Sequence, residues 1–400
     1  MKTALLLTTL LLSAGVWAAE PDYFPLQVGN QWVLESAASP PEMLNIEVLR
    51  SRTMNGKTYY LVTSYGPGDL WLRKSEDGEL YAWHEVTGVE EKVAHLRFGA
   101  PAYRTSLSGC EQSAHPNEAT LPYEGPGGPA LPIQYAAGSC RDVGFTLELY
   151  RPEVGLSQRS IITIRGPVTF NLVYARVNGK AITRPDQSLV LRYDFDRGTR
   201  GWLAGFSDYS LQTGGLRMLA EVRPLPQEVS AQGSAFYLQS MNRSDDMFMY
   251  LKKHVSAEDG LHANQAYRLS FEIVLASDAP SGCAGVGGAP GEGVYLKAGA
   301  SADEPVASLQ LSEIGLNIDK GQQAAGGADA GVVGNVANGR DCDGVNWPYV
   351  RVRRSYTHET AVRTDSRGAL WLLVGTDSGF EGLTGLYYES ITARLTPVTE

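Results

Sequence analysis

Residues that ordinarily carry chemistry are scarce in this chain. Its 400 residues include 6 His and 4 Cys. His84, His95, His115, His254, His262 and His358 have no ligand-like spacing. No Cys-x-x-Cys occurs, and only Cys110 has a histidine nearby, His115, which argues against a thiolate metal site. The chain contains no Gly-x-Ser-x-Gly elbow, no His-Glu-x-x-His helix motif and no phosphate loop. Gly285-Val-Gly-Gly-Ala-Pro290 misses the dinucleotide fingerprint, because Pro290 stands where its last glycine belongs and no helix follows. Basic excess is missing too. With a formal net charge of -10, the surface lacks the footprint that nucleic acid requires. No run reaches the roughly 18 apolar residues of a membrane helix, so no membrane span is expected. Helical periodicity of useful length is absent between Pro21 and Arg184.

What is present is the material of β-structure. Charged residues make up 20% and hydrophobic ones 43%, a globular balance, and 44 Gly with 21 Pro supply many turns. The length exceeds one ordinary core and implies two domains. Residues 1–18 read as a secretory signal: Lys2 opens it, Ala4 to Leu12 form an apolar core, and Val16-Trp-Ala18 places small residues at the cleavage positions. No cysteine follows the cut, which argues against a lipid anchor. The mature chain is therefore expected in the periplasm or the medium, where disulfides persist. Four cysteines allow three connectivities. Two precede the domain boundary and two follow it, so Cys110 with Cys140 and Cys283 with Cys342 is the simplest pairing.

Residues 19–182 read as an antiparallel sheet or open barrel. Asn55-Gly56, Ser75-Glu-Asp-Gly78 and Asn178-Gly179 mark hairpins between alternating strands. Trp32 is expected in the core. Trp71, Tyr81 and Trp83 are assigned to the core in preference to a concave binding face. The Pro/Gly-rich stretch 110–140 reads as a long surface loop. The opening Phe24-Pro-Leu26…Gly29-Asn-Gln-Trp32, with Pro152-Glu-Val-Gly-Leu156 later, resembles a group of uncharacterised bacterial exported proteins that begin with an antiparallel β domain. Residues 183–188 form the linker.

Residues 189–400 read as a jelly-roll β-sandwich. Leu189 to Asp196 alternates as a strand before Arg197-Gly-Thr-Arg-Gly-Trp202. Tyr267 to Ile273, Ala369 to Gly375 and Tyr387 to Leu395 continue the pattern. In order and character these segments resemble galactose-binding-like carbohydrate-binding modules. The resemblance implies glycan binding, and a structural Ca2+ where the first and last strands meet, at Asp196 and Glu389. Parity with Ile391, Ala393 and Leu395 places Glu389 toward the core. The Gly/Ala-rich segment 276–350 reads as a disulfide-bounded insertion foreign to such modules. Asn242-Arg-Ser-Asp-Asp246 and Asp341-Cys-Asp-Gly344 are further oxygen-rich turns, the latter lacking the distal glutamate of a calcium loop. Trp347, Tyr349, Trp202 and Tyr209 are the candidate ligand contacts, since sugars stack on aromatics. Arg351, Arg353, Arg354 and His358 read as a solvated strand face.

These observations lead to an exported, non-catalytic protein that binds a glycan or another envelope component. An envelope assembly protein that binds another protein is the alternative, and a secreted hydrolase comes third, because a carboxylate pair is defined by distance in space.

Overall fold

The computed structural model describes residues 21–116, 124–125, 128–138, 140–183, 188–243 and 246–398. The signal segment 1–18, linker residues 184–187, residues 126–127 of the Gly125 to Pro129 stretch and residues 244–245 lie outside the described residues. The fold is all-β, and the described helices are single 3-10 turns at Phe195–Arg197 and Ala257–Asp259.

Every strand of the first half except the short pair around residues 124–129 joins one thirteen-stranded antiparallel sheet. Its order follows the hairpins read from sequence: Val89–His95, Glu79–His84, Gly68–Lys74, Lys57–Gly66, Met43–Met54 and Gln31–Ser36 run back toward the N-terminus. Gly166–Val177, Gly155–Thr163, Gly144–Arg151, Leu131–Tyr135, Gln112–Pro116 and Tyr103–Thr105 continue it, and Lys180–Ile182, paired off this path with Gly166–Val177, is the thirteenth. Val89–His95 and Tyr103–Thr105, the two ends of this order, approach each other, so the sheet curls into a nearly closed barrel. The stretch 110–140 is not a plain loop: Gln112–Pro116 pairs with Leu131–Tyr135, and the Cys110–Cys140 disulfide ties the base of this hairpin.

Trp32 anchors the barrel interior, fully buried and stacked on Phe24 at 5.0 Å. Its indole Nε1 donates to Val154 O at 2.6 Å. Gly155 has φ +106 and passes so close that a Cβ there would meet Trp32 Nε1 at 2.6 Å. The two sequence motifs, Gly29-Asn-Gln-Trp32 and Pro152-Glu-Val-Gly-Leu156, are therefore one packing unit. Asp22 and Glu153 close it from outside, with Asp22 N donating to Glu153 Oε1 and Glu153 N to Asp22 O, both at 2.8 Å.

Deeper in the barrel lies a buried ion pair. Arg159 Nε donates to Glu148 Oε1 at 2.7 Å, and Glu148 Oε2 accepts from Tyr135 at 2.6 Å and Tyr150 at 2.8 Å. Glu148 is 1% and Arg159 3% exposed. Burial pushes the Tyr65, Tyr135 and Tyr150 hydroxyls well above the ordinary tyrosine range, and the Glu148 charge adds to it.

Trp71, Tyr81 and Trp83 alternate with Leu72, Leu80 and Ala82, and it is the latter set that enters the barrel core. Trp71 and Trp83 belong instead to a separate cluster with Tyr59 and Leu61, and Tyr81 lies under the Arg73 guanidinium at 4.1 Å. Trp71 is core as expected, but of this second cluster on the opposite face of the strand, and Trp83 packs against it; for Tyr81, partly buried and in neither cluster, the core assignment is corrected.

The second half folds as two packed sheets. One holds Leu219–Pro224, Ser234–Met241, Leu383–Pro397, Ala266–Ser277 and Val350–Thr357, with Leu189–Asp194 and Val362–Arg363 also paired into it. The other holds Leu203–Ser207, Met247–Val255, Leu370–Ser378, Val294–Ser301 and Ala330–Asn335. Leu189–Asp194 pairs with Leu383–Pro397, so the opening and closing strands of this half lie side by side. Leu238, Leu251, Phe271, Ile273, Leu372 and Ile391 fill the space between the sheets.

The segment 276–350 is less foreign than its composition implies. Val294–Ser301 and Ala330–Asn335 are members of the five-stranded sheet, and Ala307–Gln310 with Glu313–Leu316 folds into a small further sheet with Tyr209–Ser210. The glycines have a steric cause: a Cβ on Gly299 would collide with Asp329 O, and one on Gly331 with the Tyr356 hydroxyl. Cys283 and Cys342 are bonded.

The two halves share a packed junction. In strand Gln31–Ser36, Trp32 and Leu34 face the barrel core while Val33 joins the sandwich core with Val173 and Tyr174. A strand buried on both faces reads as a continuous apolar run, as Trp-Val-Leu does here.

Candidate cleft at the junction of the two sheets

Beside that junction, the polar edges of the two halves face each other across a cleft of about 690 Å³. The barrel contributes Met43–Met54 and the turn after Lys57–Gly66; the sandwich contributes Leu189–Asp194, the turn behind it, Val350–Thr357 and Leu383–Pro397.

Hydrogen bonds cross its floor in an unbroken line. Gln31 Nε2 donates to Asn45 Oδ1 at 2.8 Å, Asn45 Nδ2 donates to Asp194 Oδ2 at 2.9 Å, and Arg192 Nη2 donates to Asp194 Oδ1 at 2.7 Å. Arg197 reaches from the sandwich to Asp69 of the barrel at 2.6 Å and to Asp196 at 3.1 Å. Arg200 pairs with Glu47. On the far wall Arg351 grips Glu389 with two parallel bonds of 2.7 Å, and Arg353 donates to Glu272 at 3.0 Å. Donating to Glu389 raises Arg351 above its usual value, and donating to Asp69 does the same for Arg197. Desolvation in the cleft raises the Asp196 carboxyl, against the pull of Arg197.

Five arginines line this cleft together with five acidic residues, so its formal charge cancels. Ion pairs this open contribute little stability, about 0–1 kcal/mol each. What they provide is direction, because each planar guanidinium is held in a fixed fork.

Glu389 occupies this cleft because of a β-bulge. Along the pairing of Ala266–Ser277 with Leu383–Pro397, Val274 opposes Ser390 and Leu275 opposes Tyr388, leaving Glu389 as the extra residue. The insertion reverses the face, so Tyr388 and Ile391 enter the core while Glu389 turns outward to Arg351. The assignment of Glu389 to the core side is corrected accordingly. Asp196 and Glu389 do line the same cleft, each on its own arginine. Among the described residues no three His, Cys, Asp or Glu side chains converge as a cation site. Asp343 accepts from Val345 N at 3.0 Å and Asn346 N at 3.1 Å, a turn held by its own backbone.

The aromatic candidates are scattered. Trp202 is 1% exposed, edge-on to Tyr193 and Phe195 within the sandwich core, and so presents no ligand face. Tyr349 packs on Tyr387 at 4.9 Å, and Tyr387 on Tyr237 at 4.6 Å. This row of tyrosines lies on the sheet face next to the cleft, but Leu225 and Val229 pack over it and Arg223 stacks 3.4 Å above Tyr237. Trp347 is 42% exposed beside a recess of about 40 Å³. Tyr209 borders a second cleft of about 480 Å³ with Asp208 and Asp246. Beneath that cleft, Lys320 bonds Asp377 at 2.9 Å and Asp208 at 3.1 Å, and Lys297 donates to Lys320 O at 3.0 Å and Ala325 O at 2.6 Å. These bonds fasten the 318–330 loop to the sheet.

Asn45, Glu47, Asp69, Arg192, Asp194 and Arg200 carry no motif in the sequence, and Arg351 with Arg353, which reads there as a solvated face, lines the cleft instead. Their signal was present as period-two charge on strands, Asn45 with Glu47 and Arg351 with Arg353. Nothing in one strand announces that its polar face meets another.

No protein-family model and no curated protein sequence matches the chain. Among solved structures, it is similar to a β-sandwich-superfamily carbohydrate-binding module described for promiscuous specificity, at 9% identity and TM-score 0.27, over 91% of this chain and 98% of that one. A cleaved adhesin domain of Lys-gingipain from Porphyromonas gingivalis matches at 10% identity and TM-score 0.24, over 51% of this chain and 96% of that one. Likenesses this distant say nothing about what this chain binds.

Proposed function

We propose that this is an exported binding protein that holds a neutral glycan-type ligand, from the cell envelope or its surroundings, in the cleft between its two halves, without catalysis. The charge-balanced rank of fixed guanidinium and carboxylate groups carries this reading. Sugar hydroxyls both donate and accept, so they match a wall that offers donors and acceptors at once and asks for no net charge. An anion or a polycation would gain nothing from a lining whose charges already cancel. A volume of about 690 Å³ falls within the range of small-ligand sites. Recognition here is by hydrogen bonding rather than stacking, since the neighbouring tyrosines are covered. Export rests on residues 1–18 and is supported by two disulfides.

A glycan array followed by calorimetry on the best binder tests it. Arg351→Ala and Glu389→Gln are expected to weaken binding at least tenfold while circular dichroism stays unchanged, since Arg351 is half exposed. Unaltered affinity in both variants, or an array with no binder, would refute the assignment.

A further inference from the structure

Next to the polar cleft the barrel has an apolar opening of about 280 Å³. Phe145, Phe170, Tyr65 and Leu107, all members of the barrel core, line it, and Ile161 and Ile162 complete the wall. Barrel mouths are a recurrent place for apolar ligands. Arg159 also borders the opening, yet its charge is already cancelled inside the barrel by Glu148. The guanidinium stacks 4.5 Å from the Phe145 ring, so it offers a neutralised, partly aromatic floor rather than an anion site.

The two spaces are neighbours by construction. Met43, Leu44, Ser64 and Gly66 belong to the walls of both. Strand Met43–Met54 changes character along its length: Met43 and Leu44 border the apolar mouth, while Asn45 and Glu47 turn to the charged cleft. A ligand that filled both would need a hydroxylated head and an aliphatic tail.

We infer that the ligand is an amphiphile, a glycolipid-like molecule whose sugar head lies in the charge-balanced cleft and whose acyl or alkyl tail enters the barrel mouth. This rests on the cleft being the glycan site, and it names the class of glycan. The mouth has the volume of about nine water-sized groups, which sets the tail segment it can take at around eight to ten carbons.

Calorimetry of the full chain with alkyl β-glucosides from methyl to octyl, kept below their micellar concentrations, with octanol as the headless control, tests the inference. Affinity is expected to rise about fourfold per added methylene and to exceed that for octanol at equal length. Val143→Lys, at an exposed rim position of the mouth, is expected to flatten that rise without moving the melting temperature. Arg351→Ala is expected to lower every glucoside by a similar factor and leave octanol unchanged. A flat series, with oligosaccharides still bound in an Arg351-dependent way, overturns the tail pocket and leaves the cleft assignment standing. Octanol binding as tightly as octyl glucoside, or a rise that Val143→Lys does not alter, also overturns the inference.

Discussion

Replacing Gly155 by alanine perturbs one point where two distant sequence motifs meet. Three costs arise from the geometry. A φ of +106 is a conformation that alanine holds at about 1–3 kcal/mol. The new Cβ would stand 2.6 Å from Trp32 Nε1 and 2.9 Å from the next ring atom, an overpacking worth about 1–3 kcal/mol once the indole shifts. A shifted indole also loses its hydrogen bond to Val154 O, about 1 kcal/mol. Together these predict a loss of about 3–7 kcal/mol, large against a total stability of about 5–15 kcal/mol. Gly179→Ala is the internal control, because Gly179 has φ +74 but nothing within 4 Å of its missing Cβ. It should show backbone strain alone, about 1 kcal/mol. Denaturant unfolding followed by tryptophan fluorescence measures both. If Gly155→Ala costs no more than Gly179→Ala, the packing of the two motifs on each other is not what holds the barrel. Trp32→Phe should then add in full to Gly155→Ala, whereas contact between them predicts a clearly smaller combined loss.

Glu148→Gln keeps the shape of the side chain but leaves the Arg159 charge uncompensated inside the barrel, and is expected to cost about 3–5 kcal/mol, largely restored when Arg159→Met is added; urea midpoints of the two variants check this. Tyr65, Tyr135 and Tyr150 have hydroxyl values raised by burial, so their contribution is intact below the unfolded tyrosine value near pH 10 and is lost as pH climbs beyond it. Unfolding midpoints falling steeply above about pH 10, with a share of the phenolate absorbance that appears only on unfolding and shrinks in Tyr150→Phe, would bear that out. Burial pushes Asp246 up to about 6, and its buried Oδ1, like that of Asp377, has no hydrogen-bond partner among the described residues. Its contribution is therefore complete below about pH 4 and lost as pH rises to about 6, and Asp246→Asn should stabilise the protein at pH 7 by about 1 kcal/mol, seen as a higher melting temperature at pH 7 than at pH 4 relative to wild type. Chelation tests the calcium expectation: with Arg197 on Asp196 and Arg351 on Glu389, removing divalent cations should leave the melting temperature unchanged, and a calcium-dependent rise would restore a cation at that place.

Much of the fold was legible because antiparallel hairpins are local. Asn55-Gly56 and Asn178-Gly179 turn where their φ values demand, at +76 and +74 for the glycines, and the strands on either side pair in the order of the chain. Reading failed where alternation was broken or doubled. The bulge at Glu389 shifts parity by one residue, and a pattern of period two carries no mark of an inserted residue. Trp71 and Trp83 lie in strands with apolar residues on both faces, and sequence cannot say which face meets the larger core.

The candidate cleft was less legible than the fold, for a related reason. Its side chains come from strands more than a hundred residues apart, such as Asn45 and Asp194, or Asp69 and Arg197. Each reads alone as an ordinary solvated charge. By itself the sequence determined the strand content and most of the hairpin order, because turn chemistry and side-chain alternation act between neighbours along the chain or in the ladder, while the disulfide pairing and the meeting of the second half's first and last strands were expectations that the structure decided. Only the tertiary structure decided which polar faces meet, which aromatics are covered and where the cleft opens, because those depend on how two finished sheets pack, and that packing is set by Val33, Val173 and Tyr174 on the outside of the barrel rather than by any residue that lines the cleft.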